Sequence, residues 1–192
     1  MIKVIVFDFS EVIAEGPMSR WVKDNYIIKS DKFDEYKKGA HLWDSGKVGL
    51  YEIYQRLGAI TEIAPNLIWD KFYKKAKLNK EVVEVIKKLK VKYKIVLFSN
   101  FYGEILRRLL DHYGITALFD EIIISSEHKM RKPDPKFFEI LVQAAKVKEN
   151  EIFFTDDKQK HVDAANGLGI KAYQFTNAQK LIKDLQKEGI NT

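Results

Sequence analysis

The chain has 192 residues, 46% of them hydrophobic and 31% charged, with a net charge of +6, enough to bury a full core in one domain that carries a modest insert. It contains no cysteine, which excludes disulfides, thiolate metal sites and thiol catalysis, and its four histidines, at 41, 112, 128 and 161, lack metal-ligand spacing, so any metal is expected to be held by oxygen. No apolar run nears the ~20 residues that span a bilayer, and the first residues run into a strand without a signal-peptide pattern, so no membrane partner is expected and the cytoplasm is the expected compartment.

Residues 4–7, V-I-V-F, form an unbroken β-branched and aromatic run, the pattern of a strand buried on both faces of a parallel sheet. Asp8 follows at its carboxyl end, where open α/β sheets bind ligands. From 17 to 77 the pattern turns helical, with helices expected over 18–29, 31–43, 48–57 and 64–77 and no strand signal; Trp21, Trp43 and Trp69 all fall there. Such a stretch reads as a small helical cap over 17–77, leaving 1–16 and 78–192 as the α/β core. Lysine is densest over 71–94, but Glu81 and Glu84 interrupt the run and it holds no arginine. Solvated helix faces explain it, and nucleic acid is not an expected partner.

Asn79 reads as an N-cap for a helix whose apolar face is Val82, Val85, Ile86 and Leu89. A regular alternation follows: strand 95–98 and helix 102–113 ended by Gly114, strand 121–125 and helix 134–145, strand 151–155 and helix 159–168, strand 171–175 and helix 177–187. The fold class this predicts is α/β, a doubly wound, Rossmann-like parallel sheet.

Polar groups recur at the strand ends. Ser99 and Asn100 directly precede a helix whose first amides offer an anion site. Lys132 stands in M-R-K-P-D-P, where Pro133 favours an extended lysine and Asp134 with Pro135 start the next helix, fixing Lys132 at the lip of the sheet. Asp156 and Asp157 are adjacent carboxylates that, beside Asp8, would repel strongly without a cation. Oxygen ligands at an open edge suit magnesium.

The order Asp8, Ser99, Lys132, Asp156 and Asp157, with F-S-N, M-R-K-P-D-P and F-F-T-D-D-x-x-x-H-V-x-A-A-x-x-L-G-I, resembles the haloacid dehalogenase-like hydrolase superfamily, and within it the sugar-phosphate phosphatases that include the glucose-1-phosphatases. The resemblance implies a magnesium-dependent phosphatase of small phosphorylated metabolites. Asp8 would be the nucleophile and form an aspartyl phosphate. Magnesium would be held by Asp8, the main-chain carbonyl of Ser10, and Asp156 with or without Asp157. Ser99 and Lys132 would hold the phosphoryl oxygens, with Asn100 beside them on the substrate. In the cap, Trp43 of W-D-S-G-K-V is the leading substrate contact.

One position departs from the family pattern. Ser10 stands where these phosphatases carry an acid–base aspartate, and a serine hydroxyl is too weak an acid for a role commonly worth ~10²–10⁴ in rate. Glu11 is the nearest substitute in sequence, and without any acid, good leaving groups should be favoured. Lys158 and His161 also replace the small or amide side chains more usual there. Two alternatives follow: a weakened or regulatory phosphate-binding homologue, or a haloacid dehalogenase, which the paired acids disfavour.

Overall fold

The computed structural model describes residues 1–16, 18, 21–22, 30–73 and 76–191. At its centre is strand β1 (Val4–Phe7), whose four residues are all buried. Ile5 and Phe7 join one apolar layer while Val4 and Val6 join the other, as the two-residue period of a strand requires. A two-residue strand, β2 (Ala14–Glu15), comes next. Helices α1 (Ser30–Asp44), α2 (Leu50–Thr61) and α3 (Ile68–Tyr73) follow, and β3 (Lys77–Leu78) pairs antiparallel with β2. The helix expected over 18–29 lies for the most part outside the described residues.

Beyond it the chain alternates: α4 (Lys80–Leu89), β4 (Lys94–Ser99), α5 (Gly103–His112), β5 (Glu121–Ile124), α6 (Ser125–His128), α7 (Pro135–Ala145), β6 (Ile152–Asp156), α8 (Gln159–Gly167), β7 (Lys171–Gln174) and α9 (Ala178–Lys187). Asn79, Asp134 and Asn177 accept main-chain N–H bonds at the starts of α4, α7 and α9, so these three boundaries follow cap chemistry. The five long strands form one parallel sheet in the order β5-β4-β1-β6-β7. Apolar residues of α4, α5 and α9 cover one face, and those of α7 and α8 the other.

This order has a functional consequence. The chain builds outward from β1 through β4 to β5, then returns to the other side of β1 for β6 and β7. The carboxyl end of β1 is therefore a topological switch point, where open α/β sheets leave a crevice for ligands. Register aligns the polar groups there: Phe7 pairs with Leu97 on one side and Thr155 on the other, so Asp8 lies level with Phe98 and Asp156.

The sequence pattern misses two features of the insert. Residues 64–77 break into a 3-10 turn (Pro65–Leu67), α3 and the start of β3 rather than one helix. The β2–β3 ribbon joins the two ends of the insert, and the Asn79 N–H extends it by bonding the Ile13 carbonyl at 2.9 Å. Two-residue strands are too short to register as periodicity.

Candidate active site

Lys132 organises the crevice. Its Nζ donates to Asp8 Oδ1 at 2.9 Å, to Asp156 Oδ2 at 2.6 Å and to the Phe98 carbonyl at 2.7 Å. The rings of Phe98 and Phe154 each lie 5.2 Å from the same ammonium, within cation–π range. The residue is only 1% exposed, so Lys132 is buried in the floor of the crevice instead of standing at its lip. Burial disfavours its charge, but Asp156 and Asp8 more than compensate and hold it protonated.

Asn100 fixes that lysine from behind. Its side-chain amide donates to the Lys132 carbonyl at 2.9 Å and accepts from the Lys132 N–H at 2.8 Å, pairing with the main chain as a strand would. The expected anion site at the start of α5 is partly used up, since Ser125 Oγ accepts the Phe101 N–H and Ser126 Oγ accepts the Gly103 N–H. Ser99, in contrast, is fully buried, and its hydroxyl has no partner among the described residues.

The two adjacent acids differ. Asp156 is fully buried and heavily engaged, with Lys132 on one oxygen, the Lys158 N–H on the other at 2.9 Å, and His161 Nδ1 within 3.0 Å of both. Burial works against its charge, yet Lys132 and His161 hold its carboxyl well below the usual range. Asp157 keeps a buried Oδ1 with no partner among the described residues, and burial together with Asp8 pushes its carboxyl up to about 7. Burial, with Asp156 adding to it, also pushes Asp8 upward against the pull of Lys132. Ligand oxygens of Asp8, Asp156 and Asp157 all lie within 4.8 Å of one another.

The turn after β1 has its own constraint. Glu11 adopts φ +63°, a left-handed conformation that favours glycine or asparagine. Its N–H bonds the Ala14 carbonyl at 2.8 Å and its carboxylate accepts the Gly16 N–H at 3.1 Å. Ser10, half-buried, leaves its main-chain carbonyl without a hydrogen bond among the described residues.

A cavity of about 310 Å³ opens from this crevice towards the insert, lined by Ser10, Trp43, Asp44, Asn100, Arg131, Asp157 and Lys158 among others. Trp43 is 4% exposed, lies edge-on against Tyr36 at 5.5 Å, and its indole N–H has no partner among the described residues. Every site residue expected from the sequence thus lies at the carboxyl edge of the sheet or on this cavity.

The family model described as haloacid dehalogenase-like hydrolase matches residues 5–175. The chain belongs to that family. Over 165 residues this hydrolase is 22% identical to the sesquiterpene phosphatase astK of Aspergillus oryzae, a match that takes in 84% of this chain and 81% of that one. Other curated relatives match over 61–69 residues, and the chain spans only 12–25% of their lengths. Among solved structures, a family enzyme of Bacteroides thetaiotaomicron in complex with magnesium and inorganic phosphate superposes with a TM-score of 0.78 at 19% identity, covering 92% of this chain and 95% of that one. The L-2-haloacid dehalogenase of Xanthobacter autotrophicus superposes at 0.68 and 16% identity, covering 100% and 85%. At these identities the likeness is one of fold.

Sequence reasoning missed several groups that this hydrolase brings together. His161 was set aside for lacking metal-ligand spacing, but one turn into α8 its ring reaches back to Asp156. A helix starting between an acid and a histidine five residues on was the available signal. Asp44, His41 and Arg131 meet only in space: Arg131 bonds His41 and lies 3.5 Å from Asp44. His41 and Asp44 share α1, but nothing in local spacing connects them to Arg131, 90 residues beyond His41.

Proposed function

We propose that this hydrolase is a magnesium-dependent phosphatase of small phosphorylated metabolites, sugar phosphates among them, with the helical insert over 17–77 as its cap. The observation that carries the reading is the unpartnered, buried Asp157 oxygen beside Asp8, in a cluster of three carboxylates answered by one lysine. That donor set fits a hard divalent cation, which takes oxygen ligands. Asp8, Asp157 and the Ser10 carbonyl have oxygens open to it, while Asp156 is already committed to Lys132, Lys158 and His161. A bound magnesium would neutralise charge on the transferring phosphoryl group.

The chain's own residues supply the rest. Asp8 attacks phosphorus with the oxygen that does not face Lys132, and the P–O bond to the leaving group breaks. Lys132, held rigidly by Asn100 from behind, keeps the nucleophile oriented and offsets the negative charge that gathers in the crevice. Ser99 offers an unused hydroxyl to a phosphoryl oxygen, and Trp43 an unused indole N–H to the substrate body. Water then cleaves the aspartyl phosphate. A similar length and a phosphatase name in the Aspergillus relative support this reading. The alternative of carbon–halogen cleavage would leave the Asp157 carboxylate without a task.

A panel of phosphorylated metabolites assayed for phosphate release with and without magnesium tests the proposal. Magnesium-dependent release from at least one of them is the expected result. Release of halide from 2-haloacids without metal, and of no phosphate, would replace this reading by the dehalogenase one.

A further inference from the structure

Ser10 leaves the phosphatase reading short of a proton donor, and the structure offers one elsewhere. Glu11 is a poor substitute: its carboxylate accepts the Gly16 N–H, and its left-handed backbone ties it to the turn. Asp44 ends α1 and shares the wall of the 310 Å³ cavity with Ser10, Asp157 and Lys158. That volume is within the range of small-molecule pockets, ~300–1,000 Å³. Among the described residues no hydrogen bond holds the Asp44 carboxyl; it is ion-paired with Arg131, whose Nη2 lies 3.5 Å away, longer than a hydrogen bond. The geometry points to Asp44 as the general acid and base of the phosphatase reaction, supplied by the insert instead of the turn after β1.

The electrostatics agree with the geometry. Burial pushes the Asp44 carboxyl up to about 7, with Asp8 adding to the rise and Arg131, Lys158 and Lys132 opposing it. Tyr36 and His41 lie on the same helix; Asp44 acts on the Tyr36 phenol, and the His41 ring is turned to Arg131. A carboxyl that titrates near neutral pH can both give and take a proton there, which is what efficient acid–base catalysis requires. As Asp8 forms its bond to phosphorus, the Asp44 proton passes to the departing oxygen and an alcohol leaves. Water then attacks the aspartyl phosphate and gives its proton to the Asp44 carboxylate, so that phosphate departs and both acids return to their starting states.

This inference rests on the phosphatase reading, and the experiment separates the two. Purified wild-type protein and Asp44→Asn, both with magnesium, are compared on an aryl phosphate with a good leaving group and on a primary alkyl phosphate. With Asp44 as the acid, kcat/KM for the alkyl ester falls ~10²–10⁴-fold in Asp44→Asn, while the aryl ester loses less than about tenfold, since its leaving group departs unaided. The wild-type alkyl rate also declines above about pH 7, and Asp44→Asn abolishes that decline. Equal losses on both esters, or an unchanged pH profile, would overturn the proposal and leave Asp44 as a partner for Arg131. Should Asp44→Asn not fold, a series of leaving groups on the wild-type protein decides: a shallow dependence that Glu11→Gln does not steepen supports Asp44, and a steep one excludes it. Wild-type protein that releases phosphate from neither ester would overturn the phosphatase reading and this proposal with it.

Discussion

Replacing Lys132 with methionine keeps the unbranched stem between Phe98 and Phe154 but removes the charge that answers Asp8 at 2.9 Å and Asp156 at 2.6 Å. Both carboxylates are buried, at 5% and 0% exposure, so water cannot take over from the ammonium. Removing one partner of a buried ion pair costs about 3–5 kcal/mol. For a chain of this size each kcal/mol moves Tm by about 2–4 °C, so Lys132→Met should melt roughly 6–20 °C below wild type at pH 7. Circular dichroism melts in EDTA read this without a metal contribution. The pH dependence carries a sign. In the wild type Asp156 is held below its unfolded pKa, so its stabilisation is present above the usual carboxylate range and lost as the pH falls through the folded value. In the variant, burial and mutual repulsion raise both acids above their unfolded values, and protonation relieves the penalty as the pH falls. The gap in Tm should therefore close between about pH 7 and pH 4. A gap under about 2 °C at pH 7, where 6–20 °C is expected, or one that widens on acidification, would refute the reasoning.

The two adjacent acids should separate by function. Asp157→Ala, losing an oxygen with no partner, should weaken magnesium affinity with little change in Tm, and calorimetric titration showing unchanged affinity would remove it from the ligand set. Asp156→Ala should instead lower Tm at pH 7 by releasing Lys132 and His161, and a melt like that of wild type would count against this role. Gly46→Ala would build a Cβ 2.2 Å from the Ser126 carbonyl oxygen at a φ of +63°. Strain of this kind costs about 1–3 kcal/mol, readable as a lower urea midpoint, and an unchanged midpoint would deny the close approach of the turn after α1 to α6.

Much of the fold is legible because its signals are local and repeated. The V-I-V-F run dictates a strand buried on both sides, Asn79 and Asp134 announce helix starts, and a parallel sheet brings strand ends to one edge. Asp8, Ser99, Lys132, Asp156 and Asp157 were readable for the same reason, each following a strand or punctuated by proline. The short β2–β3 ribbon was not, having two residues per strand. The burial of Lys132 was hidden as well, since a lysine's exposure depends on what answers its charge, and that is settled by Asp8 and Asp156, 124 and 24 residues away. Asp44 falls one residue past the helix expected over 31–43 and carried no signal of its own. Its place on the same cavity as Ser10 depends on how α1 packs against the sheet edge, which no spacing encodes.

The aspartyl phosphate is the most direct object to measure. Protein mixed with magnesium and a substrate found by phosphate release is quenched in acid during turnover and analysed by intact mass and peptide mapping. The expected result is an adduct of one phosphoryl group on Asp8 in the wild type, with neither adduct nor turnover in a folded Asp8→Asn. Steady turnover by Asp8→Asn, or a phosphoryl group mapped to another residue, would contradict covalent catalysis by Asp8.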